Sequence, residues 1–108
     1  MNRQTLRLYQ LKSQIVQAAA HPIRLAIIDF LSDGEQCVCD ISTHVGAKRS
    51  NVSRHLSVML KSGVLDCRKD GLKVIYSLKT PCILKFLDCV TEVLRQQVRQ
   101  SQSVLSRL

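Results

Sequence analysis

The sequence predicts a mainly α-helical domain with one small β-hairpin, and three observations lead there. Apolar residues recur at helical spacing over most of the chain. Turn-forming pairs punctuate it at His21-Pro22, Asp33-Gly34, Ser62-Gly63, Asp70-Gly71 and Thr80-Pro81. Between Val64 and Leu78 alone the composition shifts to β-branched and aromatic residues. A length of 108 residues suits a single domain over residues 1–108 and is too short for an ordinary two-domain enzyme. With 45% hydrophobic and 22% charged residues, the composition argues against a disordered or low-complexity chain.

The first helix is expected from Thr5 to Ala20, with Leu8, Leu11, Ile15 and Ala19 on one face. Pro22 is placed as the first residue of a second helix ending near Leu31, with Ile23, Ile27, Phe30 and Leu31 inward. A short helix follows from Val38 to Val45, and Gly46 supplies the tight turn before another from Arg49 or Ser50 to Lys61. Two short helices around a glycine turn form a helix-turn-helix pattern.

The second of these helices divides by angle. Val52, Leu56, Met59 and Leu60 form its buried stripe, while Ser50, Arg54, Ser57 and Lys61 point away, flanked by Asn51 and Ser53, with His55 at the margin as a further DNA-contacting or helix-packing residue. Short hydroxyl and amide groups with an arginine suit a major groove, since they approach base edges and phosphates closely. Val64 to Arg68 and Leu72 to Leu78 then read as a hairpin turning at Asp70-Gly71, a wing with Arg68, Lys69 and Lys73 near its tip for backbone contacts.

Thr80 and Pro81 open a last helix, Pro81 to Ser103, with Thr80 as its cap and Ile83, Leu84, Phe86, Leu87, Val90, Val93 and Leu94 as its apolar stripe. A helix so apolar at the end of a small domain completes the core or pairs with its copy. Pairing is favoured, because a symmetric site needs two recognition helices held one DNA turn apart. The expected architecture is therefore a winged helix-turn-helix that forms a homodimer through its terminal helices, with Leu8, Leu11, Phe86, Leu87, Val90 and Leu94 at the interface.

Charge points the same way. Sixteen Lys and Arg against eight Asp and Glu give +8, and residues 48–73 hold seven basic side chains against Asp66 and Asp70, so they carry +5 of it. That segment is where double-stranded DNA would sit. No apolar run is long enough to span a membrane, and no signal-peptide pattern opens the chain. With an odd count of five cysteines, this predicts reduced thiols in the cytoplasm rather than a secreted disulfide framework.

Cys37 and Cys39 form a C-x-C pair where the third helix begins. In a regular helix their side chains diverge by about 200°, but at an extended or helix-terminal position both reach one soft ion. Small buried filler is the plain alternative. Cys82 and Cys89 lie about 10 Å apart along the last helix and cannot share an ion within it; each remains a candidate ligand or redox partner for another thiol. Cys67 is expected to pack beside Leu65. His21 reads as a turn residue, and no nucleophile-base constellation or phosphate-binding glycine loop suggests an enzyme.

These residues together resemble the ArsR/SmtB family of winged-helix metalloregulatory repressors, most closely its arsenical branch. The resemblance runs through His21-Pro22-Ile23-Arg24-Leu25, Glu35 to Ile41, Ser50 to Leu56, Ser62 to Leu65 and the wing Arg68 to Leu78. It implies a homodimer that binds an inverted-repeat operator without a cofactor and is released when As(III) or Sb(III) binds cysteine thiolates, Cys37 and Cys39 matching two of the usual three. Cd(II) or Pb(II), or a persulfide or redox signal, are the alternatives, and a constitutive DNA-binding or interaction module is another class. The position that often carries the third thiol is Ser42 here, so a third ligand falls to Cys67, Cys82, Cys89 or an outside thiol.

Overall fold

Capping residues set the helices out along the chain. The computed structural model describes residues 1–108 and places α1 at Arg3–Ala19, α2 at Pro22–Leu31, β1 at Gln36–Cys37, α3 at Val38–Val45, α4 at Arg49–Ser62, β2 at Leu65–Asp70, β3 at Lys73–Leu78 and α5 at Ile83–Ser106. Helix α1 starts before Thr5 because Asn2 Oδ1 accepts a hydrogen bond from the Thr5 amide at 2.8 Å. Helix α2 starts at Pro22 as expected. His21 is its N-cap, with Nδ1 accepting from the Ile23 amide at 3.1 Å. Helix α3 stops at Gly46, whose φ of 68° is the left-handed conformation that turns the chain into α4.

One hydrophobic core fixes α4 in place. Val52, Leu56 and Met59 of α4 pack with Ile27, Ile28 and Leu31 of α2, Ile41 of α3, Ala18 and Ala19 of α1, and Val64 and Leu65 beyond α4. Ile28, outside the predicted inward stripe, is fully buried, while Ile23, Phe30 and Leu60 are partly so. Phe30 also stacks on His44 of α3, ring centroids 4.1 Å apart. Truncating a side chain as buried as Leu56 to alanine costs about 2–5 kcal/mol, which makes the α4 stripe the main anchor of its outward face.

The sheet is larger than a hairpin. Strands β2 and β3 pair antiparallel from Leu65 opposite Leu78 to Asp70 opposite Lys73. The loop is thus Gly71-Leu72, one residue later than the expected turn, and Gly71 at φ 62° supplies the positive angle that a tight hairpin needs at its first loop position. Strand β1, which the sequence did not disclose, pairs with β3 through Gln36 opposite Tyr76 and Cys37 opposite Ile75, giving the order β1-β3-β2. Two residues are too few to show alternation. Cys67 is exposed rather than packed, because only Leu65 at the root of β2 reaches the core.

Helix α5 begins two residues after Pro81 and extends past Ser103. Thr80 does not cap it. Its Oγ1 donates instead to the Gly63 carbonyl at 3.0 Å, tying the end of the wing to the end of α4. Ile83, Leu84 and Leu87 touch the core, yet no residue of α5 is buried, and Phe86 and Leu94 are 50% and 57% exposed. Leu8, Leu11 and Ile15 of α1 are similarly open. Such half-exposed apolar faces on the terminal helices are what a homodimer interface of this fold requires. No helix is long and apolar enough to cross a membrane.

Candidate functional site

With its apolar stripe buried, α4 turns a basic polar face outward. Ser50, Ser53, Arg54 and Lys61 stand exposed, Asn51 and Ser57 are half-buried, and the helix carries no acidic residue. Lys48 and Arg49 precede and open it, both exposed. This is a cationic surface of short side chains on a helix held rigidly from behind, the arrangement that fits a major groove.

His55 faces inward instead. Its Nδ1 accepts a hydrogen bond from Arg24 Nε at 3.1 Å, and its ring lies 4.4 Å from that of His21. Arg24 Nη1 also reaches the Ala18 carbonyl at 3.4 Å, so one guanidinium bridges α1, α2 and α4. Burial, followed by the nearby His21, Arg24 and Arg54, holds the His55 imidazole below its ordinary value of 6.5. His55 therefore favours the neutral form.

The wing places Lys69 and Lys73 in solvent beside the Gly71-Leu72 tip. Arg68 is differently placed: its Nη2 is 2.7 Å from Glu35 Oε2, and its Nη1 is 4.0 Å from Asp70. The hydrogen bond from Arg68, then its charge, keeps the Glu35 carboxyl below the usual 4.5, and the partnership raises Arg68 above its own ordinary value. Arg68 is thereby partly neutralised at the place where the sequence expects a phosphate contact.

The C-x-C pair straddles a boundary. Cys37 ends β1 and is the N-cap residue of α3 in extended backbone, while Cys39 lies in the first turn of α3. Cys37 is buried and Cys39 exposed, and Arg49 of α4 donates from Nη2 to the Cys39 Sγ. Both thiols line a groove of about 250 Å³ with Arg49 and with Leu72, Lys73 and Val74 of the wing. No group of three or more His, Cys, Asp or Glu side chains is gathered to hold an ion. Cys82, the N-cap residue of α5, and Cys89 within it are exposed, and neither lines this groove. Ser42 Oγ is buried with no hydrogen-bond partner.

Sequence reasoning did not single out Arg24, Glu35 or Arg49. Arg24 and Glu35 lie inside recognisable segments, but their partners are 31 and 33 residues away in the chain. Only the packing of α2 on α4, and of β3 between β1 and β2, reveals the pairs.

Residues 21–66 match the family model described as bacterial regulatory protein, arsR family. The chain is 34% identical over 102 residues to a helix-turn-helix-type transcriptional regulator of Mycobacterium tuberculosis, covering 94% of this chain and 90% of that one. It is 32% identical over 101 residues to the arsenical resistance operon repressor of Escherichia coli, covering 93% and 86%. Among solved structures, NolR from Sinorhizobium fredii is similar with a TM-score of 0.79 at 26% identity, over 86% of this chain and 93% of that one.

Proposed function

Because the chain belongs to the ArsR family of bacterial regulatory proteins, a winged-helix family that binds operator DNA as a homodimer, we propose that it is a repressor released when As(III) or Sb(III) binds the Cys37 and Cys39 thiolates. In this reading Ser50, Asn51, Ser53, Arg54, Ser57 and Lys61 of α4 meet the major groove, and Lys69 and Lys73, with Arg68, hold the flanking backbone. Leu8, Leu11, Phe86, Val90 and Leu94, exposed on the terminal helices, pair the two copies, with Leu87 at the edge where α5 meets the core.

The observation that carries the regulatory half is the place of the thiol pair. Cys37 and Cys39 sit at the start of the helix that braces α4, and Arg49 of α4 is hydrogen-bonded to one of them. An ion drawing both sulfurs together must reshape the first turn of α3 and withdraw an acceptor from Arg49. It thus favours a conformer less suited to the operator, and DNA and ion weaken each other's binding by the same free energy. The chain offers two thiols at this point, so the third donor to a pyramidal ion comes from a small thiol or a second copy. A relative named as an arsenical resistance repressor supports this choice of ion.

A persulfide or redox signal is the second reading, favoured by the exposure of Cys39, Cys82 and Cys89. The test is fluorescence anisotropy of the reduced protein on labelled DNA from upstream of its own gene. As(III), Sb(III), Cd(II), Zn(II) and a persulfide donor are titrated in parallel. Release by As(III) or Sb(III) at near-stoichiometric ligand is expected. Release by the persulfide donor alone would transfer the function to sulfur sensing, and by Cd(II) alone to a divalent soft metal.

A further inference from the structure

His55 occupies an unusual place for a residue of a DNA-reading helix, since its ring is engaged from behind. Arginine is a donor only and stays protonated in proteins. The nitrogen that accepts from Arg24 Nε must therefore carry a lone pair, which puts the single proton of the neutral imidazole on Nε2. A second proton on Nδ1 would set two donors against each other across 3.1 Å.

Every charged or titratable group facing that ring opposes a second proton. Arg24 of α2 stands on Nδ1, the His21 ring lies 4.4 Å away at the cap of α2, and Arg54 is the adjoining cation on α4 itself. On the α1 side, Arg24 Nη1 donates to the Ala18 carbonyl at 3.4 Å. No carboxylate is ion-paired with this cluster. A second proton on His55 therefore works against the Arg24 contact that ties α4 to α2.

We propose that Arg24 is a positioning residue for α4, clamping His55 as a neutral Nδ1 acceptor, so that acid opens the clamp and weakens DNA binding even as the protein gains positive charge. The inference rests on α4 being the DNA-reading helix. Its sign sets it apart from simple electrostatics, because added positive charge alone tightens binding to a polyanion. Neutral His55 is present above its ordinary value of 6.5 and is lost as the pH falls through the lower value it has in the fold.

The test has two arms on the full-length protein. Ring-nitrogen NMR reads the tautomer and titration of His55 without any DNA. The expected result is a proton on Nε2 at neutral pH, and Arg24→Leu should mix the tautomers and raise the titration midpoint. Anisotropy on the DNA upstream of its own gene then gives the ratio of affinities between about pH 7.5 and about pH 5, expected as a loss of about tenfold when roughly a third of each subunit stays competent. His55→Asn keeps an acceptor near the Nδ1 position and cannot titrate, so its ratio should lie near one. His21→Asn keeps the helix cap but removes one of the groups that oppose a second proton, so the His55 midpoint should rise and the loss of affinity should begin at higher pH.

A proton on Nδ1, a wild-type affinity that is constant or tighter in acid, or an unchanged ratio in His55→Asn would each overturn the proposal. Failure of the wild type to bind this DNA at either pH would overturn its DNA half, and the ring nitrogens would still decide whether the clamp exists.

Discussion

Arg49, the first residue of α4, donates a hydrogen bond to the Sγ of Cys39 in the first turn of α3. The outward helix and the thiol pair therefore share a contact and not merely a core. Replacing Cys37 or Cys39 by serine should leave DNA binding within about threefold of wild type, because neither thiol lies on the outward face of α4. Either variant should lose release by As(III), whereas Cys67→Ser should be released normally. Full release of Cys37→Ser by As(III) in the anisotropy titration would remove the pair from the sensing site.

Arg54 is exposed on the face opposite Val52 and Leu56 and makes no ion pair within the chain. Arg54→Ala should weaken DNA binding by about 1–3 kcal/mol if it grips a guanine edge, with or without inducer. Circular dichroism should report an unchanged fold. Unaltered affinity would place the reading face elsewhere on α4.

Glu35 restrains Arg68 at 2.7 Å. Both side chains are largely exposed, so the pair adds little to stability, and its cost to DNA binding is the more visible effect. Glu35→Gln should free Arg68 for phosphate and steepen the dependence of log affinity on log salt by about one for each phosphate that Arg68 neutralises. The same steepening should appear in the wild type on acidification: the carboxylate pair is complete above 4.5 and is lost as the pH falls through the lower value of Glu35 in the fold. Salt titrations of the two proteins at neutral pH check this, and identical slopes would show that Arg68 is never free to bind phosphate.

Much of this architecture is legible in the sequence because its signals are local. Proline at the start of α2, glycine after α3 and the apolar stripe of α4 each act within a few residues, and those elements fall within one residue of expectation. Thr80 misleads because a threonine before a proline looks like a cap, yet its hydroxyl finds a carbonyl 17 residues back. Strand β1 exists only because β3 offers it an edge. The same limit applies to the site: the outward residues of α4 follow from periodicity, whereas the Arg24 to His55 and Arg49 to Cys39 contacts depend on how helices meet.

Ser42 shows a polar group placed at a cost. Its Oγ is buried and finds no partner, and leaving such a hydroxyl unsatisfied costs about 1–3 kcal/mol. Ser42→Ala should therefore raise stability, by about 1 kcal/mol, in urea unfolding monitored by circular dichroism. A loss of stability would mean that the hydroxyl does have a partner in solution.

The terminal helices carry the last prediction. Phe86, Val90 and Leu94 lie on one side of α5, with Leu8 and Leu11 open on α1, and none of them belongs to the central core. An apolar stripe left this exposed is costly for a lone chain, and covering it with a second copy also sets two α4 helices at the fixed spacing that an inverted repeat demands. Leu94→Glu should consequently shift the protein from dimer to monomer in analytical ultracentrifugation at micromolar concentration, while the helical circular dichroism signal persists because Leu94 supports no core contact. Binding to an inverted-repeat duplex should fall by at least about 100-fold, since each monomer then engages one half-site without the gain of the tethered second. A Leu94→Glu protein that remains dimeric would move the interface off α5.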